Sequence, residues 1–248
     1  MKRHLKKLIG VITIITGLML LVSVPEISAI DSQDYTLGAH RGASLEFTEN
    51  TLEAFKLAVE NPVYEFIEFD IQLTSDGKRV VIHQNNILRI PKKFARVSTM
   101  TYAEVQETFE FYVPTYKEVI EIVKEKPLQI DIKSSKNLTN DQTLIDFLIV
   151  DLEERGVTEY IISSTSEDIV KYTEETYPEV NTGRVFWVNR NSIFPSESAV
   201  IKFYNSTVAD YAFVHGHNIR NYDLLMEFKP EDKSLAFWYF TDEIYLMN

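Results

Sequence analysis

Four stretches of the chain carry side chains able to move protons and hold charge. His40-Arg41-Gly42 joins an imidazole that titrates near neutral pH to a guanidinium that forks onto phosphate or carboxylate, and to a glycine that lets backbone approach a ligand. Glu68-Phe69-Asp70 and Asp131-Ile132-Lys133 set ionic side chains at alternate positions of apolar runs, and Val80-Val81-Ile82-His83 ends in a second imidazole. Three carboxylates with water oxygens make a site for a hard cation, and two imidazoles beside them make an acid and a base.

Whether these groups can meet depends on the elements that carry them. Period-two alternation in Phe66 to Leu73 puts Glu68, Asp70 and Gln72 on one face and Ile67, Phe69, Ile71 and Leu73 on the other. Two carboxylates one strand repeat apart repel unless a cation or protons neutralise them; the alternative is an edge strand with a solvated acidic face. In Leu128 to Lys133, Gln129, Asp131 and Lys133 share a face opposite Ile130 and Ile132, and a plain Asp131-Lys133 surface pair is the competing reading. His40, His83, His215 and His217 all fall at or just after expected strand ends; Gly216 marks a turn, so His215 and His217 are read as rim residues.

Short apolar strands near 36–40, 66–73, 79–83, 128–132, 159–163, 183–188, 211–215 and 235–240 alternate with helical patterns near 51–60, 101–109, 115–126, 141–155, 166–177, 197–205 and 220–228. Such alternation indicates an α/β fold around a largely parallel sheet. Thr74-Ser75-Asp76-Gly77 joins two strands through a turn alone, and parallel neighbours need a longer crossover, so that pair is expected to be antiparallel. Pro91 to Ser98 reads as a polar loop, Trp187 and the aromatic 203–213 region as core or barrel lining, and Trp238 as a wall of a pocket.

The first 29 residues are set apart. Lys2, Arg3, Lys6 and Lys7 precede an apolar run from Leu8 to Val24, and Ile27-Ser28-Ala29 matches a small-residue cleavage site. The segment 1–29 reads as a signal peptide, or as a membrane anchor where uncleaved, leaving a folded part, 30–248, that is secreted or extracytoplasmic. Its removal takes four basic residues and Glu26 and moves the formal net charge from −12 to −15. That balance argues against nucleic acid and anionic membrane faces as partners. The chain has no cysteine, so a metal must sit among carboxylates and imidazoles, which favours calcium or magnesium.

These residues resemble the pattern of the glycerophosphodiester phosphodiesterases. His40-Arg41-Gly42, Glu49-Asn50-Thr51 before a helix, Glu68-Phe69-Asp70, the Thr74 to Gly77 turn and His83 stand in that order and spacing. The likeness continues through Met100-Thr101-Tyr102, Val113-Pro114-Thr115, Ile130 to Lys133, Ser163-Ser164-Thr165 and a tryptophan strand at Trp238 with Phe240-Thr241-Asp242. It implies a distorted (β/α)8 barrel of TIM type with its site at the C-terminal ends of the strands. It further implies one divalent cation on Glu68, Asp70 and Asp131, with His40 and His83 as acid and base and Arg41 and Lys133 on the phosphate. Glu49 would orient Arg41 or approach the metal. The sequence departs from the pattern in having Gln84 where aspartate is usual and Asp131 where glutamate is usual, and the family's helix and glycine-rich segment beyond the tryptophan strand do not follow. The barrel is therefore expected to lack its final element or to close in another way.

The implied reaction is hydrolysis of glycerophosphodiesters to an alcohol and glycerol 3-phosphate. A barrel that binds such diesters without turning them over, and a relative cleaving lysophospholipid head groups at membranes through Phe109, Phe111 and Tyr112, are the alternatives.

Overall fold

The computed structural model describes residues 35–83, 86–87, 95–186, 196–239 and 243–247. The leader segment, Gln84, Trp187 and Phe240 to Asp242 lie outside the described residues. Strands β1 (Tyr35–His40), β2 (Phe66–Leu73) and β3 (Arg79–Val81) are followed by a two-residue ladder, β4 (Asn86–Ile87) with β5 (Ala95–Arg96). After these come β6 (Leu128–Ile132), β7 (Tyr160–Ser164), β8 (Asn181–Phe186), β9 (Tyr211–His215), β10 (Ser234–Trp238) and β11 (Glu243–Met247). The helices are α1 (Leu52–Glu60), α2 (Tyr102–Thr108), α3 (Tyr116–Val123), α4 (Leu138–Glu154), α5 (Glu167–Thr176), α6 (Glu197–Tyr204) and α7 (Tyr222–Glu227).

Strands β1, β2, β6, β7, β8, β9 and β10 run parallel, each hydrogen-bonded to the next. Strand β11 runs the other way, antiparallel to both β10 and β1, and closes the ring at eight strands. Closure removes the open edges that would otherwise leave rows of unpaired backbone groups. The fold is thus the expected distorted barrel, with the eighth place filled by a reversed strand that the sequence pattern did not mark. The strand expected at 79–83 is outside the ring. It pairs antiparallel with the upper part of β2, as the four-residue turn requires, and just past its end Ile82 N–H still donates to the Asp70 carbonyl at 3.0 Å in the same register. Of the loop expected from Pro91 to Ser98, residues 91–94 lie outside the described residues and the rest forms β5 and the start of a 3₁₀ turn, Val97–Thr99, while the helix expected at 220–228 is split into a 3₁₀ segment, Gly216–Asn221, and α7.

Two apolar layers follow from the alternation. Outward residues Ala39, Ile67, Phe69, Ile71, Ile130 and Ile132 pack beneath Phe55, Ile120 and Leu148 of the surrounding helices. Inside the ring Phe66, Phe213, Ala236 and Ile244 form a plug below the strand ends. The plug needs Gly38 and Gly183, because a Cβ on Gly38 would lie 2.1 Å from the Phe66 ring and one on Gly183 would lie 2.5 Å from that of Phe213. Phe109 and Phe111, partly buried, pack against the cluster of Val80, Ile82, Val97, Val105 and Val113, while Tyr112 next to them is exposed. Among the described residues no helix is long and apolar enough to cross a membrane.

Ile244 tests the role of the reversed strand, since it is 1% exposed within the plug. Ile244→Ala is expected to lower unfolding free energy by about 2–5 kcal/mol in urea titration. A loss well below 1 kcal/mol would mean that β11 does not seal the barrel.

Candidate active site

Strand β1 ends in His40, and the chain then turns sharply. Arg41 has φ 65° and Gly42 φ 78°, both left-handed. For arginine that conformation costs on the order of 1–3 kcal/mol and persists only where neighbours fix it. Here Arg41 N–H donates to the Glu68 carbonyl at 3.1 Å and to Glu68 Oε2 at 2.8 Å, while its own carbonyl accepts from Asn50 N–H at 2.9 Å. Gly42 lies so close to α1 that a Cβ would come 2.8 Å from the Ala54 carbonyl carbon. The turn aims the guanidinium inward, with Nη1 2.7 Å from Glu49 Oε2 and Nε 3.1 Å from Asp70 Oδ2.

The carboxylates come from adjacent strands in direct register, Glu68 beside Gln129 and Asp70 beside Asp131. Oxygens of Glu68, Asp70 and Asp131 lie within 4.8 Å of one another, and all three residues are buried. Lys133 Nζ sits 2.6 Å from Asp70 Oδ1 and also bonds Asp131. Asn50, itself at φ 59°, donates from Nδ2 to Asp70 Oδ2 at 2.8 Å and accepts the Asp70 N–H at 3.2 Å. Ser163 Oγ donates to Asp131 Oδ1 at 3.2 Å.

These contacts set the charges. Burial pushes the Glu68 carboxyl well above the usual carboxylate range, and the like charge of Asp70 adds to the rise. Burial also pushes Asp131 up against the opposing pull of Lys133. At Asp70 the same burial is overcome by Lys133 and Arg41, which hold it below the usual range. Lys133 is raised because Asp131 and Asp70 outweigh its own desolvation. Three carboxylates face two cations, leaving one uncompensated negative charge, or two with Glu49. An all-oxygen donor set that is short of positive charge fits a hard divalent ion.

His40 Nε2 lies 3.9 Å from Glu68 Oε2 and its ring is edge-on to Trp238 at 6.1 Å. His83 Nδ1 lies 3.9 Å from Glu49 Oε1, and burial, with Lys133 and Arg41 nearby, pushes its imidazole down to about 4 despite the opposing pull of Asp70. A cavity of about 430 Å³ at the C-terminal strand ends is lined by His40, His83, Arg41, Lys133, the three carboxylates and Trp238. Glu49, grouped from sequence with the substrate-binding residues, does not line it. Its carboxylate is used to hold Arg41 and to face His83.

The match to the family model of the glycerophosphoryl diester phosphodiesterases spans residues 40–230. The chain belongs to that family. A glycerophosphodiester phosphodiesterase of Caldanaerobacter subterraneus subsp. tengcongensis is 30% identical over 159 residues, covering 60% of this chain and 65% of that protein. Coverage of two further bacterial relatives is 56% and 44% of their lengths, so the chain spans about half to just under two thirds of these curated relatives. The crystal structure of a Thermotoga maritima glycerophosphodiester phosphodiesterase superposes with a TM-score of 0.59 at 24% identity, covering 82% of this chain and 85% of that one. An Oleispira antarctica phosphodiesterase solved with the product sn-glycerol-3-phosphate does so with a TM-score of 0.60 at 18% identity, covering 81% and 83%. These likenesses fix the shared barrel fold.

Sequence reading of this family member did not assign Asn50, Gln129, Ser163 or Arg184, all of which touch the site or line it. Gln129 could have been found, because alternation already placed it on the face of Asp131. Arg184 is visible only in the fold, where Nε meets Glu167 at 3.1 Å and Nη1 donates to the Ser164 carbonyl at 3.2 Å. His215 and His217, read as rim residues, do not line the cavity. His215 is 8% exposed beside Trp238, at 4.6 Å between rings, and burial with His217 beside it pushes its imidazole down to about 4.

Two outcomes follow from this geometry. Asn50→Ala loses both bonds to Asp70 and the ease of a left-handed backbone, so it is expected to destabilise the fold by about 1–3 kcal/mol in urea titration, with Asn50→Gly recovering part of the loss. His83 and His215 are neutral in the fold where a free imidazole, at about 6.5, is charged. The unfolded chain therefore binds more protons between about pH 6.5 and 4, and stability present above that window is lost as pH falls through it. The melting temperature should drop across the window and drop less steeply in His215→Asn; the side chain of His83, 38% exposed, is the more screened by water.

Proposed function

We propose that this protein is a metal-dependent phosphodiesterase that hydrolyses glycerophosphodiesters to an alcohol and glycerol 3-phosphate. The observation that supports it is the convergence, in one cavity of about 430 Å³, of two imidazoles, a buried carboxylate triad and two cations. Glu68, Asp70 and Asp131 would hold a calcium or magnesium ion, which when bound supplies positive charge for the phosphoryl oxygens. The 1–29 segment would direct the chain out of the cytoplasm, where a soluble diester or detached head group is the substrate.

In this reading Arg41 and Lys133 gather the negative charge that builds on the phosphate during displacement. Both are preorganised, Arg41 by Glu49 and Asp70, Lys133 by Asp70 and Asp131. His83, neutral at neutral pH, takes the proton from the nucleophile, which is either water or the neighbouring glycerol hydroxyl, whose cyclic phosphate water then opens. His40 returns a proton to the departing alkoxide. Trp238 forms an apolar wall beside His40 for the carbon skeleton of the substrate.

Release of glycerol 3-phosphate from glycerophosphocholine, measured with calcium or magnesium, tests the assignment. His40→Ala and His83→Ala should each lower turnover by about 10²- to 10⁴-fold, and a chelator should abolish it until the ion is restored. Undiminished turnover in either variant removes that imidazole from the mechanism. Tight diester binding with no product under any divalent ion would favour a binding protein instead.

A further inference from the structure

Gln129 is 3% exposed, lines the cavity, and has an amide oxygen with no hydrogen-bond donor. Its orientation is fixed by chemistry. Ser163 Oγ donates its single proton to Asp131 Oδ1 at 3.2 Å, because a carboxylate can only accept. The serine oxygen must then accept from Gln129, whose Nε2 lies 3.2 Å away, and this leaves Oε1 directed away from Ser163. A buried amide oxygen left unpaired is costly, and such groups persist where a ligand satisfies them.

Its position on the sheet shows which ligand. Glu68 stands opposite Gln129 and Asp70 opposite Asp131, and all four point into the ring. They form a rectangle about 4.8 Å across the strands and about 6.6 Å along them. Three corners are the carboxylates already assigned to a cation, and the fourth is the orphaned oxygen.

We propose that the Gln129 amide oxygen is a fourth protein ligand of the divalent cation, and that it biases the site toward calcium. This rests on the metal-dependent reading above. Calcium accepts amide and backbone carbonyl oxygens in a coordination sphere of about six to eight, whereas magnesium keeps several waters and takes few protein ligands. Four oxygens fixed on two rigid strands suit the former. The Gln129-Ser163-Asp131 relay is then a positioning device that holds two ligands at once, as hydrogen-bonded partners of metal ligands commonly do.

Calorimetric titration of calcium and of magnesium into the full chain tests this. Gln129→Leu should weaken calcium binding by about 10- to 100-fold and magnesium binding less, and should shrink the rise in melting temperature that calcium produces. Its metal-free melting temperature should stay near that of the parent, since leucine of similar volume replaces an unpaired acceptor. Gln129→Glu, which keeps an oxygen at the same reach, should bind calcium at least as tightly as the parent. Unchanged calcium affinity in Gln129→Leu overturns the proposal alone. If that variant does not fold, weaker calcium binding by Gln129→Glu overturns it. A parent chain that binds neither ion overturns the cation reading itself, and this inference with it.

Discussion

Glu68, Asp70 and Asp131 are buried with oxygens within 4.8 Å of one another, and like charges so placed must be offset from inside the structure. At about 4 Å, a pair of unit charges interacts by about 4 kcal/mol at the effective dielectric of a protein site. Arg41 and Lys133 supply the offset, and much of the surrounding geometry serves to hold them. Arg41 reaches Asp70 only because its backbone is left-handed, and that conformation is maintained by Glu68, Asn50 and the packing of Gly42 on α1. Lys133 reaches both aspartates because its strand is in direct register with β2. The remaining imbalance is what makes the site receptive to a divalent ion.

The barrel beneath supplies rigidity and dryness. Phe66 and Phe213 fill the interior directly under the polar layer, each seated against a glycine. That floor keeps the carboxylates in a low-dielectric setting, so their charges act strongly on one another and on anything bound above them. The antiparallel strand β11 seals the ring between β10 and β1, and places Ile244 in the same plug. The two strands that carry Trp238 and His40 are therefore held on either side of a short reversed strand, and their rings meet at 6.1 Å.

Much of the architecture was legible locally. Alternation in Phe66 to Leu73 and Leu128 to Lys133 gave the strand limits and the inward polar faces, because the side-chain period of a strand is two whatever the fold. Thr74 to Gly77 gave the antiparallel pair through the shortness of its turn. The reversed strand was not legible, since Glu243-Ile-Tyr-Leu-Met carries little alternation and owes its conformation to two neighbours distant in sequence. That β3 lies outside the ring has the same origin: its short turn showed that it runs antiparallel to β2, but only its neighbours in the sheet show that the ring closes without it. Phe109 and Phe111 show the converse, where apolar side chains in a loop were open to two readings until a buried cluster appeared around Val80 and Val105.

The sequence by itself determined which residues could form an acid, a base, a cation site and a phosphate clamp, and the order in which strands would present them. Tertiary structure decided what each of them touches. That Glu49 restrains Arg41 in place of lining the cavity, that His215 is buried beside Trp238, and that Gln129 spends its amide N–H on Ser163 and leaves its oxygen unpaired all depend on contacts between residues far apart in the chain. Such contacts are set by strand register, the backbone turn after β1 and the closure of the ring, and none of these is encoded in a local pattern.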